Sequence, residues 1–208
     1  AALSLGAMGL ISHYSRVNAP VEAQARDLIA PVEAELRALL GDVVYGADVP
    51  SIQAVAFALL EAQGLTLGAA ESCTGGWVAK VITDIAGSSA WFERGFVTYS
   101  NEAKAQMIGV REATLEQHGA VSEPVVIEMA IGALKAARAD YAISISGIAG
   151  PDGGSDVKPV GTVWFGFATS KGEGITRREC FSGDRESVRR QATEYALKTL
   201  WQQFLQNT

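Results

Sequence analysis

The sequence predicts an α/β fold: three layers, α/β/α, around a mixed sheet, with an N-terminal helical appendage. Three observations predict it. From Leu65 onward, short apolar runs alternate with segments of helical period, the pattern of a layered α/β domain. Two strand-like runs near the C-terminus are joined by a tight turn, which adds an antiparallel pair and makes the sheet mixed. The 208 residues are 48% hydrophobic and 19% charged, enough apolar material for the core of one domain with a short appendage.

The elements follow in order. Residues 1–17 show no clear period and read as a loosely held arm. The next stretch places Leu28, Val32, Leu36, Leu39 and Leu40 on one helical stripe. Asn18 can cap this helix, Pro20 suits its first turn, and Gly41 ends it. Pro31 is expected to kink or divide it. Residues 42–46 (DVVYG) form a short strand candidate. A second helix runs from an N-cap at Ser51 to Gly64. LTLGAA (65–70) is a strand that runs into ESCTGG and a helix, WVAKVITDIAG. GFVTYS (95–100) is a strand, and NEAKAQMIG a short helix capped by Asn101. Residues 122–140 form a helix with Ser122 as N-cap and Ile127, Ile131 and Leu134 toward the core. YAISISG (141–147) is a strand, followed by a loop rich in Gly and Pro. VGTVWFGFAT and GITRRECFS pair as a hairpin through SKGE. A long helix starting at Asp184 closes the chain.

Charge and composition remove several function classes. The formal net charge is -6, with no Lys/Arg cluster, so the electrostatic footprint of a nucleic-acid binder is missing. No apolar run approaches the roughly 20 residues of a membrane span. Two cysteines, Cys73 and Cys180, make no disulfide framework, which fits a cytoplasmic protein. His13 and His118 lie far apart and no zinc-ligand spacing occurs, so no metal is expected. The charge is uneven: the first lysine is Lys80, and residues 1–79 carry three arginines against eight acids. Such a step fits a domain boundary or a chain joined from two sources.

Three segments could carry chemistry. Glu71-Ser72-Cys73-Thr74-Gly75-Gly76 lies at the carboxyl end of a strand, where open α/β sheets bind ligands. Gly75 and Gly76 permit close backbone approach, and the helix start offers N–H groups to an anion or oxyanion. Equally, Ser72 or Thr74 simply caps that helix. In the second segment, Tyr99 to Lys104, the lysine falls in the first turn of a helix, where the dipole depresses its pKa. A neutral lysine can act as base to a serine hydroxyl; a solvated surface lysine fits the same pattern. The third segment, Ser146 to Gly154, has four glycines after a strand. It suits a substrate cradle or a long turn, and it is neither a Walker loop nor GxGxxG. Cys73 stands beside Ser72 as an alternative nucleophile, or as a small buried hydrophobe. Arg189 and Arg190 are candidates to reach a phosphate, or surface charges.

Five motifs in order, AESCTGG, FVTYSNEAK, GAVSEPVV, SISGIAGPDGG and KPVGTVWFGF, resemble the CinA C-terminal-domain family, the nicotinamide-nucleotide amidohydrolases. They cover about residues 51–208. The resemblance implies hydrolysis of nicotinamide mononucleotide to nicotinate mononucleotide and ammonia, a step of pyridine-nucleotide salvage, without metal or cofactor. It implies Ser72 as nucleophile, Lys104 as its base and Tyr99 as an assisting hydroxyl. The substrate is expected to meet Thr74, Gly75, Gly76, Asn101, Gly147, Ala149, Gly150, Gly161 and Thr162. Residues 50–208 are then the amidohydrolase domain. Residues 1–49 resemble the region just before this domain in longer CinA proteins, without the large domain that precedes it there. They are expected to be an appendage, from a chimera or a trimmed longer protein. A homodimer is expected. A non-catalytic nucleotide-binding or competence-related module, and an amidase for other nicotinamide compounds, remain as rivals.

Overall fold

The computed structural model describes residues 2–6, 10–14, 22–40, 44–47 and 52–205. These fall into two compact units, Ala1–Ala56 and Phe57–Thr208.

The first unit contains a sheet that the sequence reading missed. Strands β1 (Ala2–Gly6) and β2 (Leu10–Tyr14) pair antiparallel, and β3 (Val44–Ala47) adds to the other edge of β1. The arm expected at residues 1–17 is therefore largely a hairpin. The alternation Leu3-Ser4-Leu5 faces Ile11-Ser12-His13, strands too short for a long window to register. Helix α1 (Glu22–Leu40) continues past Pro31 undivided. Strong helix formers flank the proline, and Arg37 bridges back to Glu33 at 2.8 Å one turn beyond it, so neighbouring propensity outweighs one lost hydrogen bond. The predicted caps at Asn18 and Ser51 and the Gly41 stop lie outside the described residues. Helix α2 covers Ile52–Gln63, and Gly64 ends it, with Leu65 N–H returning to Leu60 O at 2.9 Å.

The second unit is built on a five-stranded mixed sheet of order β5-β4-β6-β7-β8. Strands β4 (Leu67–Glu71), β5 (Phe92–Val97) and β6 (Tyr141–Gly147) are parallel. β7 (Thr162–Thr169) and β8 (Gly174–Cys180) continue antiparallel as the expected hairpin. Between them run α3 (Trp77–Thr83), α4 (Asn101–Ile108), α5 (Glu112–His118), α6 (Glu123–Ala137) and the closing α7 (Arg185–Leu200).

Alternating side chains of β6 and β7 separate the layers. Ser144 Oγ donates to Val126 O of α6 at 2.5 Å, while Phe165 stacks on Tyr195 of α7 at 4.7 Å. β6 is buried on both faces, as a central strand must be. Its residues Ile143 and Ile145, with Phe165 and Phe167, are fully enclosed.

Local differences have local reasons. β5 starts and ends earlier than expected, because Ser100, not Asn101, caps α4: its Oγ accepts the Ala103 N–H at 3.0 Å. α5 was not anticipated. It is a single short segment held by its buried Thr114 and Leu115 and by Glu128, which accepts from Thr114 Oγ1 at 2.9 Å. Asp184 caps α7 as read, accepting the Ser187 N–H at 2.8 Å.

Candidate functional site

The parallel strands place three loops at one edge of the sheet. Glu71, the last residue of β4, sits in register with Val97 of β5 and Ile145 of β6. Ser72 N–H then donates to Ile145 O at 2.9 Å, and Thr98 N–H to Glu71 O at 2.8 Å. The segments after β4, β5 and β6 leave the sheet side by side, at the carboxyl ends where such sheets bind ligands.

Lys104 crosses from α4 to the first of these loops. Its Nζ lies 3.2 Å from Ser72 Oγ and donates to Thr98 O at 2.9 Å. The lysine is only 1% exposed, and among the described residues no carboxylate pairs with it. Burial pushes its pKa below the ordinary lysine value; the carboxylate of Glu102 opposes this more weakly. In its neutral form an amine in this position can donate one N–H to Thr98 O and accept the proton of the Ser72 hydroxyl. Of the two causes open at the sequence level, the helix start and burial, burial is the one that lowers it.

Cys73 does not compete. Its thiol is buried, and desolvation pushes its pKa up to about 12, so no thiolate forms at neutral pH.

The expected anion site at the start of α3 is corrected by a residue the sequence reading passed over. The buried Glu71 carboxylate takes the Gly76 and Val78 N–H groups on Oε2, both at 3.0 Å, and the Ala79 N–H on Oε1 at 2.9 Å. Gly75 N–H is also engaged, with Ser72 O at 3.0 Å. Among the described residues, the N–H groups of Cys73 and Thr74 donate to no backbone carbonyl. The turn itself needs its two glycines: Gly75 and Gly76 have φ of +60° and +94°. Thr74 is fully buried, with no hydrogen-bond partner for Oγ1 among the described residues.

Arg189 holds this loop from α7. Its Nε donates to Cys73 O at 3.1 Å, one terminal N–H to Thr74 O at 2.8 Å, and its guanidinium lies over the Trp77 ring at 5.1 Å. Arg190 pairs with Glu194 at 3.2 Å.

The glycine segment is zipped to the start of β7. Ile148 N–H donates to Thr162 O and Gly161 N–H to Ile148 O, both at 2.8 Å, so Gly147, Ala149, Gly150, Gly161 and Thr162 form one layer. Thr162 Oγ1 is buried without a partner. Tyr99 is 61% exposed and bonds not to Ser72 or Lys104 but to Arg185, whose N–H donates to Tyr99 Oη at 3.1 Å. A second N–H of Arg185 donates to Gly150 O at 2.8 Å. Asn101 is exposed at the start of α4 and makes no side-chain hydrogen bond among the described residues. The structure therefore unites Ser72, Lys104 and Thr74, places the glycine layer on the adjacent strand end, and sets Tyr99 at the rim.

Residues 50–204 match the family model of the CinA C-terminal domain. The chain belongs to that family. Among members of the CinA family, a nicotinamide-nucleotide amidohydrolase of Escherichia coli is 87% identical over 149 residues, 72% of this chain and 90% of that one. That of Enterobacter agglomerans is 64% identical over 150 residues. A putative competence-damage inducible protein of Symbiobacterium thermophilum is 49% identical over 184 residues, covering 85% of this chain but 43% of its own length. That share of the chain reaches into the segment before Pro50. Among solved structures, CinA superfamily proteins of Klebsiella pneumoniae and Agrobacterium tumefaciens superpose with TM-scores of 0.70 at 44% and 40% identity, over 73% and 74% of this chain.

Proposed function

We propose that this chain hydrolyses the carboxamide of nicotinamide mononucleotide, giving nicotinate mononucleotide and ammonia, through an acyl-enzyme on Ser72. The substrate comes from the name of the enterobacterial relatives. The chemistry rests on one observation: a buried lysine with depressed pKa, 3.2 Å from a serine Oγ at the carboxyl end of β4.

Ser72 Oγ attacks the carboxamide carbon as Lys104 Nζ takes its proton. The oxyanion turns to the N–H groups of Cys73 and Thr74; loss of one such donor typically costs about 100-fold or more in rate. Arg189 holds the Cys73 carbonyl, and with it the peptide plane that carries the Thr74 N–H. Lys104 returns the proton to the departing ammonia. Water then adds to the ester, with Lys104 again as base, and nicotinate mononucleotide leaves. The pyridinium charge of the substrate disfavours a cationic lysine beside it and so supports the same protonation state. Residues 50–208 carry this activity in the proposal, with residues 1–49 as a separate segment.

The test is ammonia release from nicotinamide mononucleotide by the wild type, Ser72→Ala and Lys104→Met. Both variants should lose activity by several orders of magnitude. Tight binding of the mononucleotide by the wild type without ammonia release would replace the enzyme by a nucleotide-binding module.

A further inference from the structure

Arg185 and Arg189 each place two donors on neighbouring segments, but Arg185 is the more exposed of the two. Arg189 is bound to the Ser72 loop and Arg190 to a carboxylate. Arg185 has no ion-pair partner among the described residues. It ties together the two segments flanking the dyad: the glycine layer through Gly150 O and the β5–α4 loop through Tyr99 Oη. Tyr99 follows Thr98, whose carbonyl holds Lys104. A guanidinium has five N–H donors in a planar fork, and Arg185 spends two of them on these bonds. An exposed, uncompensated fork between two substrate-facing segments suits a phosphate, which accepts such donors in pairs.

We propose that Arg185 is the specificity-determining residue for the phosphate of the substrate, selecting the mononucleotide over its unphosphorylated riboside. This rests on the reading of Ser72 as the amide-cleaving end of the site. With the carboxamide at Ser72, the ribose passes along the Gly147–Gly150 layer and the phosphate meets Arg185 at its rim. The bond to Gly150 O then keeps the guanidinium oriented before substrate arrives, and Tyr99 Oη supports its other edge.

The test measures binding by calorimetry in a Ser72→Ala background, where substrate is not consumed. Nicotinamide mononucleotide and nicotinamide riboside are titrated into Ser72→Ala, Ser72→Ala/Arg185→Gln and Ser72→Ala/Arg185→Lys. Loss of a charged hydrogen bond to phosphate should weaken mononucleotide binding by roughly 10- to 100-fold in the Gln variant. The ratio of mononucleotide to riboside affinity should fall by the same factor, with the Lys variant between. Both ligands are read on one preparation, so a partly misfolded fraction cancels in the ratio. An unchanged ratio, whether both affinities fall together or neither moves, overturns the proposal and leaves Arg185 as a tether of Tyr99 and Gly150. Absence of mononucleotide binding in the Ser72→Ala background itself would instead remove the substrate assignment, and this inference with it.

Discussion

The carboxylate of Glu71 accepts the Gly76 N–H at 3.0 Å, five residues ahead of it and directly before Ser72 in the chain. With the bonds to Val78 and Ala79 it fills the start of α3, so the helix end serves its own strand rather than a ligand. A buried carboxylate is tolerable there because three backbone N–H groups and the helix dipole meet it. The result is a rigid turn that presents Ser72 between β4 and α3.

Glu71→Gln keeps one carbonyl acceptor and turns an NH2 group toward an N–H, so at least one bond is lost. The expected outcome is a fall in kcat of about 10-fold or more with KM little changed, since the loosened turn carries the Cys73 and Thr74 N–H groups that the proposal turns to the oxyanion rather than to the bound ground state. Stability should drop by about 1–3 kcal/mol. Steady-state kinetics and denaturant melts check both.

The pH profile follows from Lys104. Its pKa is below the ordinary lysine value, and the proposed mechanism needs the neutral form. Activity should therefore rise with pH through a single acid limb and be lost as pH falls through that pKa. The limb should lie below the ordinary lysine value of 10.5 and vanish with the residual rate of Lys104→Met. A profile of kcat/KM against pH measures it.

The same burial has a stability consequence of opposite sign. Between the unfolded lysine pKa and the lower folded one, the unfolded chain holds a proton that the native state lacks, so stability decreases as pH falls through that window and stays reduced below it. Lys104→Met removes this cost. The variant should melt higher than the wild type at neutral pH, by on the order of 2–4 °C per kcal/mol recovered, while losing activity. At pH above 10.5 the difference should shrink. Scanning calorimetry at two pH values decides it.

The nucleophile choice is open to a thiol measurement. Cys73 is buried with its pKa near 12, and Cys180 is exposed. A disulfide reagent should modify one thiol per native chain, at Cys180, and leave turnover intact. Cys73→Ala should keep kcat within about 3-fold, because it deletes only a small buried group. Activity that disappears with Cys73→Ala and survives Ser72→Ala would reverse the assignment.

The strand–helix alternation from Leu65 onward predicted the second unit because its strands are short, mostly apolar runs between helical segments, and Ser100 and Asp184 cap α4 and α7. The paired strands Ala2–Gly6 and Leu10–Tyr14 escaped, since two strands of five residues give too few repeats to outvote noise. The residues of the dyad were visible as residue types beside glycines at strand ends. Glu71 had a signal that went unread, an acid closing a buried strand just before a helix. Arg185 had none: its partners lie 35 and 86 residues away.

What the sequence by itself determined is the set of local rules: the mixed three-layer α/β order, the turn at Gly75-Gly76, and the placement of Ser72 and Lys104 at the ends of neighbouring elements. These depend on period, caps and backbone conformation, which are properties of consecutive residues. Only the tertiary structure decided that Lys104 is buried 3.2 Å from Ser72, that Glu71 rather than a ligand fills the start of α3, and that Arg189 anchors the loop while Arg185 stands at its rim. Each is a matter of burial and of contacts between distant segments. Burial is what separates a solvated surface lysine from a neutral base.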